Sequence, residues 1–210
     1  MNASAPVMTL SRHRLAVDGE GVTTLVLLAG CPLHCRYCIN DYCHDGRPYP
    51  IRTPEELYEL TRMDNLYFQA TGGGITFGGG EPLLHSEFIL AFYELLCREL
   101  QGQPWRISVE TSLQVPESHI RCLMPFVSEW IVDVKDTDPD IYSRYTLIPQ
   151  GPLFDRLRLL ADAGLQDRVM LRIPRIPEFN TEEDCRRSEE RLKALGFTRF
   201  DHFDYIIRNV

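Results

Sequence analysis

The sequence predicts an α/β fold, specifically a partial (open) β/α barrel with about six parallel strands. Short apolar segments alternate with helical segments along the 210 residues, which is the pattern of repeated βα units. The strand segments are short and apolar, as strands buried on both faces tend to be. Units of this kind connect through right-handed crossovers, and a flat doubly wound sheet is the alternative architecture. The length suits one domain spanning residues 1–210.

Six segments are predicted to form strands. They are rich in β-branched or aromatic residues, which favour strand formation. Because helical segments separate them, we expect the strands to lie parallel in one sheet. They span residues 22–29, 74–77, 106–110, 130–134, 169–173 and 200–207.

Four helices are predicted between these strands. Thr53 is a typical N-cap, followed by a proline at the first helical position and by acidic residues. Residues 86–100 carry apolar side chains at helical spacing, and residues 153–163 end at Gly164, a typical C-terminal cap. Thr181, also followed by acidic residues, begins the fourth helix.

Polar or metal-binding residues lie at the end of every predicted strand, or within it in the case of the sixth. Loops at the carboxyl ends of parallel strands usually form the functional site of such folds. We therefore expect these segments to meet in one shared site. In chain order they are GCPLHCRYC (30–38), GGGEP (78–82), Glu110-Thr-Ser, Asp133-Val-Lys135, Arg172 and Asp201-His202.

Composition excludes several classes of function. The net charge of −8 argues against a general nucleic-acid binder, because no basic excess is present to neutralise phosphates. No apolar run approaches the roughly 18–20 residues that span a membrane. The first ten residues lack the basic start and apolar core of a signal peptide, so a cytoplasmic location is expected.

Three of the seven cysteines stand close together as C-x3-C-x2-C, at Cys31, Cys35 and Cys38. In a reducing compartment, clustered cysteines indicate metal ligands or catalytic thiols instead of disulfides. Four thiolates would saturate a zinc ion or an iron–sulfur cluster, whereas three leave one iron of a four-iron cluster open to a small molecule.

A zinc site is the alternative interpretation, and it would need a fourth ligand. His34, His44 or Cys43 could supply one. Cys43 is therefore either a bystander or a fourth thiol. The remaining cysteines, Cys97, Cys122 and Cys185, are expected to be small buried hydrophobic residues.

The cysteine spacing, with Tyr37 just before the last cysteine, resembles that of the radical S-adenosylmethionine (SAM) enzymes. The segment GGGITFGGGEP (72–82) resembles the glycine-rich methionine-binding motif of the same superfamily. Glycines let a backbone approach a ligand closely, and the carboxylate of Glu81 can accept a hydrogen bond from an ammonium group.

Within that superfamily, the chain resembles the activating enzymes of glycyl radical enzymes, such as pyruvate formate-lyase activating enzyme. The segments that carry this resemblance are DGEG (18–21), YFQATGGGITF (67–77), DVKDTDPDIYSRYT (133–146) and RIPRIPEFN (172–180). About 40 residues separate Cys38 from the GGGEP part of the glycine motif (78–82), with Cys43 the sole cysteine between them. The chain therefore resembles the compact type with a single cluster and no ferredoxin-like insert.

The resemblance implies that Cys31, Cys35 and Cys38 ligate a [4Fe-4S] cluster, and that SAM chelates the open iron. It also implies a role for each residue around them. Tyr37 would contact the bound cofactor, and Asn40 would steady the cluster loop. Glu81 with the backbone of Gly79 and Gly80 would hold the amino end of SAM. Lys135 would neutralise the carboxylate. The ribose or a monovalent cation would lie against Glu110, Thr111 and Asp133, and the adenosyl portion would lie along Arg172 and His202.

The implied activity is reductive cleavage of SAM to methionine and a 5′-deoxyadenosyl radical. In an activating enzyme that radical would abstract hydrogen from a glycine of a partner glycyl radical enzyme, with a flavodoxin or ferredoxin-type protein as electron donor. Neither nucleic acid nor membrane is an expected partner. The alternatives are a radical SAM enzyme acting on a small molecule or peptide, and a zinc or iron–sulfur binding module without turnover.

Overall fold

The computed structural model describes residues 3–207. Its eight strands form one sheet in the order β3-β1-β2-β4-β5-β6-β7-β8. The strands are β1 (Ala5–Leu15), β2 (Val22–Leu28), β3 (Ile51–Arg52), β4 (Gly74–Gly79), β5 (Arg106–Thr111), β6 (Glu129–Asp133), β7 (Val169–Arg175) and β8 (Phe200–Asp204). The helices are α1 (Pro54–Thr61), α2 (Asn65–Thr71), α3 (Ser86–Glu99), α4 (Glu117–Arg121), α5 (Pro139–Thr146), α6 (Leu153–Asp162) and α7 (Glu182–Lys193).

Six of the eight strands are parallel, and the sheet is not closed. Strands β2, β4, β5, β6, β7 and β8 pair in parallel, each with the next. The two edges of the sheet are β3 and β8. The predicted partial barrel with about six parallel strands is therefore confirmed, and each predicted strand corresponds to one of the six.

The sequence did not predict β1 and β3, which extend the sheet by antiparallel pairing. Strand β1 pairs with β2 and with the two-residue β3. Only Ala5 and Val7 of β1 are buried, and its polar second half shows no apolar pattern. The register of β1 shifts twice against β2, and His13 adopts a positive φ of 55°. Such irregular, half-exposed strands give a weak signal in the sequence.

The helix caps agree with the prediction. Thr53 forms a capping box with Glu56, and Thr181 forms one with Asp184. In each box the threonine side chain accepts a hydrogen bond from a backbone N–H, and the acidic side chain accepts one from the cap residue. The three helices that were not predicted from helix patterns, α2, α4 and α5, are eight residues long or shorter.

The core lies between the sheet and the helices. Phe77 of β4 is fully buried and packs edge-on against Phe88 and Phe92 of α3, with ring centroids 6.3 and 5.8 Å apart. Within residues 3–207, no helix has the length and apolar character needed to cross a bilayer. Because the six parallel strands all run the same way, their carboxyl ends gather at one edge of the sheet, where the polar loops meet.

Candidate active site

A cavity of about 490 Å³ lies at the carboxyl ends of the parallel strands. Loops after β2, β4, β5 and β6 contribute to it, together with β7 and β8. It contains all but three of the predicted site residues. Those that line it are Cys31, Cys35, Cys38, Asn40, Gly79, Gly80, Glu110, Thr111, Asp133, Lys135 and Arg172.

The three motif cysteines lie on a loop that is fixed to the rest of the molecule by its backbone. The amide of His34 donates to Thr146 (3.0 Å) and the amide of Arg36 donates to Tyr145 (3.0 Å), both at the end of α5. On the other side, Nδ2 of Asn40 donates to the carbonyl of Gly79 (2.9 Å). Asn40 therefore ties the cysteine loop to the glycine motif.

Burial disfavours ionisation of the three motif cysteine thiols. Desolvation raises the pKa of Cys31 to about 12, and it also raises the pKa values of Cys35 and Cys38. A thiol of raised pKa becomes a ligand when a metal displaces its proton. Cys43 lines the same cavity, and burial raises its pKa to about 11.

The glycine motif brings the end of β4 against the loop after β2. Gly79 has a φ of 102°, and a Cβ at this position would lie 2.8 Å from the amide nitrogen of Leu28. A Cβ at Gly80 would lie 2.1 Å from the carbonyl oxygen of Gly30, beside the first cysteine. No residue other than glycine fits either position, so the backbone itself forms this wall of the cavity.

Glu81 does not face the cavity. Its side chain is buried, and both carboxylate oxygens accept hydrogen bonds from the protein. Oε1 accepts from Oγ1 of Thr111 (2.6 Å) and from the amide of Leu83 (3.2 Å). Oε2 accepts from the amide (2.8 Å) and the hydroxyl (2.6 Å) of Ser112. Burial raises the pKa of Glu81, and these donors oppose that change. The structure therefore places the Glu81 carboxylate against Thr111 and Ser112 at the cavity wall, and its contact with a bound ammonium group stays a prediction.

Lys135 lies at the cavity with its charge already paired. Its Nζ donates to Oδ2 of Asp133 (2.9 Å), and only 13% of the Lys135 side chain is exposed. Burial alone would lower the pKa of Lys135, but the Asp133 carboxylate reverses the effect and raises the pKa above its usual value. Lys135 is therefore a fixed positive charge beside the cysteines.

A second ion pair connects β5 and β7. Nη1 of Arg172 donates to Oε1 of Glu110 (2.7 Å), and Nη2 donates to the carbonyl of Val17 (3.0 Å). Asp201 lies 3.5 Å from the same guanidinium. Burial raises the pKa of Glu110 to about 7, although the charge of Arg172 opposes this shift. The guanidinium thus joins the loop after β1 to three parallel strands.

The other two predicted residues outside the cavity are Tyr37 and His202. The hydroxyl of Tyr37 donates to Glu178 (2.8 Å) on the far side of the cysteine loop, and its ring packs against Phe179. His202 points to α7, where Nε2 lies 2.9 Å from Glu189. The expected place of His202 along the adenosyl portion is corrected, because alternate residues of β8 face opposite sides of the sheet.

Several cavity residues were not predicted as site residues. Asp18 lies in the turn after β1 and accepts from Arg14. Ser112 and Tyr205 also line the cavity, and the Tyr205 hydroxyl donates to the carbonyl of Tyr37. The DGEG segment was a signal for Asp18. No local pattern marks Tyr205, because only the tertiary fold brings residues 203–206 over the cysteine loop.

The residues present fit an iron–sulfur cluster with an additional ligand. Three thiols from one loop face a cavity that also contains backbone glycines, a fixed cation and carboxylates. Between residues 3 and 207, no three His, Cys, Asp or Glu side chains are arranged to hold a single metal ion. Cys31, Cys35 and Cys38 are the donors that would bind the cluster, because thiolates are its usual ligands.

This chain resembles known proteins over most of its length. Residues 25–188 match the model of the Radical SAM superfamily. The indoleacetate decarboxylase activating enzyme of Tractidigestivibacter scatoligenes is 33% identical, over 85% of this chain and 74% of that enzyme. The (2S)-3-sulfopropanediol dehydratase activating enzyme of Klebsiella oxytoca is 26% identical, over 87% of this chain and 75% of that enzyme.

A solved structure supports the fold. Streptococcus suis SuiB bound to S-adenosylmethionine superposes with a TM-score of 0.65 at 14% identity, covering 85% of this chain and 39% of SuiB. At that identity the similarity concerns the fold alone. Because the superfamily match covers most of the chain and the curated relatives are activating enzymes, this chain belongs to the radical SAM superfamily and is an enzyme similar to the activating enzymes of glycyl radical enzymes.

Proposed function

We propose that this enzyme cleaves SAM reductively and uses the 5′-deoxyadenosyl radical to install a glycyl radical on a partner enzyme. The observation that carries the proposal is the cavity in which the three motif cysteines lie together with Gly79, Gly80 and Lys135. Those cysteines would hold a [4Fe-4S] cluster, which, once reduced by an external electron donor, would supply the electron for cleavage of a carbon–sulfur bond of SAM.

The chain's own residues would bind and orient SAM. Gly79 and Gly80 line the cavity with backbone alone, because a side chain at either position would collide with Leu28 or Gly30, and their backbone groups would contact the methionine end. Lys135 is placed to neutralise the SAM carboxylate, because a buried ammonium group pairs strongly with a carboxylate. Asp133 shares that ammonium group and keeps it in place before SAM binds.

The opposite wall of the cavity would contact the nucleoside. Glu110, Thr111 and Asp133 provide oxygens for the ribose hydroxyls or for a monovalent cation. Arg172 is held by Glu110 and by the Val17 carbonyl, and its planar guanidinium would lie along the adenosyl group. The Glu110–Arg172 pair would therefore position both the ribose and the adenine of SAM.

The partner's segment would enter where the sheet stays open. Phe203, Tyr205 and Ile206 lie along that side of the cavity, and Ile206 is 79% exposed. These apolar side chains would exclude water from the reacting groups once a protein segment covers them. A glycine can reach the cavity only in an extended loop, so the partner's segment has to leave its own core.

The experiment is an anaerobic assay with reconstituted protein. With SAM and dithionite we expect brown protein that forms 5′-deoxyadenosine, and loss of this product in Cys35→Ala. The matched control is Cys97→Ala, which removes a thiol from α3, outside the cavity. A colourless zinc protein, or a cluster that leaves SAM intact, would contradict the proposal.

The partner is tested separately. Candidate glycyl radical enzymes are incubated with the protein, SAM and a reduced flavodoxin or ferredoxin, and electron paramagnetic resonance is used to detect a glycyl radical. Formation of 5′-deoxyadenosine without a glycyl radical on any protein, but with a modified small molecule or peptide, would show that the substrate class is wrong.

A further inference from the structure

We propose that Asp136 and Asn180 are positioning residues that hold Lys135 in a strained backbone turn and so direct its ammonium group into the cavity. Neither residue lines the cavity, and neither has a role in the function proposed above. The part of this proposal that concerns SAM rests on that function, whereas the part that concerns the turn does not.

The backbone at Lys135 adopts an uncommon conformation. Its φ is 65°, in the left-handed region, and the amide of Asp136 donates to the carbonyl of Val134 at 2.9 Å. A hydrogen bond across three residues with a positive φ at the centre defines a γ-turn of the rare, strained kind. A long side chain persists in this region only where the surroundings impose it.

Asp136 connects this turn to three other segments, two through its carboxylate and one through its backbone carbonyl. Oδ2 accepts from Nδ2 of Asn180 (3.0 Å), and Oδ1 accepts from the amide of Asp138 (2.8 Å) and from Oγ of Ser188 (3.4 Å). The Asp136 carbonyl accepts from Nε2 of Gln150 (3.0 Å). With only 2% of Asp136 exposed, the residue directly after Lys135 cannot move without breaking buried hydrogen bonds.

Asn180 fixes the other end of this network. Its Oδ1 accepts from the amide of Ile176 (2.6 Å), and its Nδ2 donates to the carbonyl of Pro174 (3.1 Å) as well as to Asp136. The loop after β7 is thereby joined to the loop after β6. Because Arg172 lies on β7, the network also sets the position of Lys135 relative to Arg172.

The network is not explained by core packing. Burying a carboxylate costs free energy that apolar residues of similar volume would not require. A fully hydrogen-bonded polar network does specify one geometry, which an apolar contact does not. The geometry specified here is the one that directs the Lys135 ammonium group to the cavity, beside Asp133 and the cysteines.

The test compares the affinity of oxidised, reconstituted enzyme for SAM and for decarboxylated SAM, measured by calorimetry without turnover. If Lys135 neutralises the carboxylate, wild-type enzyme prefers SAM. We expect Asp136→Asn to reduce this preference by about tenfold, the loss of one charge-assisted hydrogen bond. Asn180→Ala, which reaches the same carboxylate from the other loop, should act in the same direction.

The matched control is Asp64→Asn. Asp64 is also a buried carboxylate that accepts from several side chains, Arg12 and Thr24 among them, but it contacts β1 and β2 and does not line the cavity. Its substitution should leave the preference for SAM unchanged. The proposal would be overturned if both Asp136→Asn and Asn180→Ala kept the wild-type preference for SAM over decarboxylated SAM. An equal loss of this preference in the Asp64→Asn control would also overturn it.

A second measurement tests the turn without SAM. In the holoenzyme, Lys135→Gly should unfold at a urea midpoint about 0.4 M higher than Lys135→Ala, because glycine adopts the left-handed region without strain. The difference should disappear when Asp136→Asn is added. If wild-type enzyme does not bind SAM, the proposed function fails, and this measurement still decides whether the network holds the turn. If the difference in urea midpoint between the glycine and alanine variants persists when Asp136→Asn is added, the network does not hold the turn.

Discussion

Substitution of Glu81 by glutamine tests whether this carboxylate supports the cavity wall or contacts a ligand. Each oxygen of Glu81 accepts from one backbone amide and one hydroxyl, at 2.6 to 3.2 Å. A glutamine side chain places an NH2 group against one of the two amides, from Leu83 or from Ser112, whichever way the glutamine amide is turned. The hydroxyls can rotate, but a backbone N–H cannot.

The magnitude follows from that geometry. One buried N–H group without an acceptor costs about 1–3 kcal/mol, and weakening the remaining charge-assisted bonds adds about 1 kcal/mol. The relief of carboxylate desolvation opposes this, since burial raises the pKa of Glu81. We expect a net loss of about 2 kcal/mol, which corresponds to a decrease of about 4–8 °C in Tm for a chain of this length.

The assay is urea and thermal unfolding of reconstituted protein under anaerobic conditions, with SAM affinity measured on the same samples. Glu87→Gln on the exposed face of α3 is the control and should change stability by less than about 0.5 kcal/mol. If Glu81→Gln is as stable as the control while SAM affinity falls tenfold or more, Glu81 contacts the ligand and the reasoning from its hydrogen bonds is wrong.

Three further predictions concern the cavity. Cys35→Ala should lower the iron content of reconstituted protein sharply and Cys43→Ala should leave it unchanged; equal losses would show that the count of three ligands is wrong. The unfolding midpoint should fall as pH rises from about 4.5 to about 7. Over this range the folded state keeps the proton of Glu110, whereas the unfolded chain has lost it. A Glu110→Gln variant whose midpoint falls as much as that of the wild type would contradict this prediction. Asn40→Ala removes the hydrogen bond to the Gly79 carbonyl, and it should lower the free energy of unfolding by about 1 kcal/mol and speed iron loss to a chelator. An unchanged rate of iron loss would show that Asn40 does not fix the cysteine loop to the glycine motif.

The strands and the chemistry of the site were largely predictable from local patterns. Five of the six parallel strands are short and largely apolar, whereas three of the five residues of β8 are polar. The polar residues at or near the strand ends lie at the same edge of the sheet because the strands are parallel. The cysteine spacing is also local, so one loop is enough to bring three thiols to the cavity. Strand β1 was not predictable, since its polar second half depends on pairing with β2.

The direction of individual side chains was less predictable. His202 stands between Asp201 and Phe203, which line the cavity, and the alternation of a strand turns His202 to α7 instead. Glu81 lies in a glycine-rich motif typical of ligand binding, yet its carboxylate is enclosed by donors from Leu83, Thr111 and Ser112. Such outcomes depend on residues distant in the sequence.

The sequence by itself determined the superfamily, the six parallel strands and the loop that presents Cys31, Cys35 and Cys38, because these depend on local spacing and apolar pattern. Only the tertiary structure decided which polar groups face the cavity and which support its wall through hydrogen bonds. Lys135 shows the physical reason: its left-handed turn is unfavourable in isolation and persists through contacts from Asn180 and Ser188, 45 residues or more away along the chain.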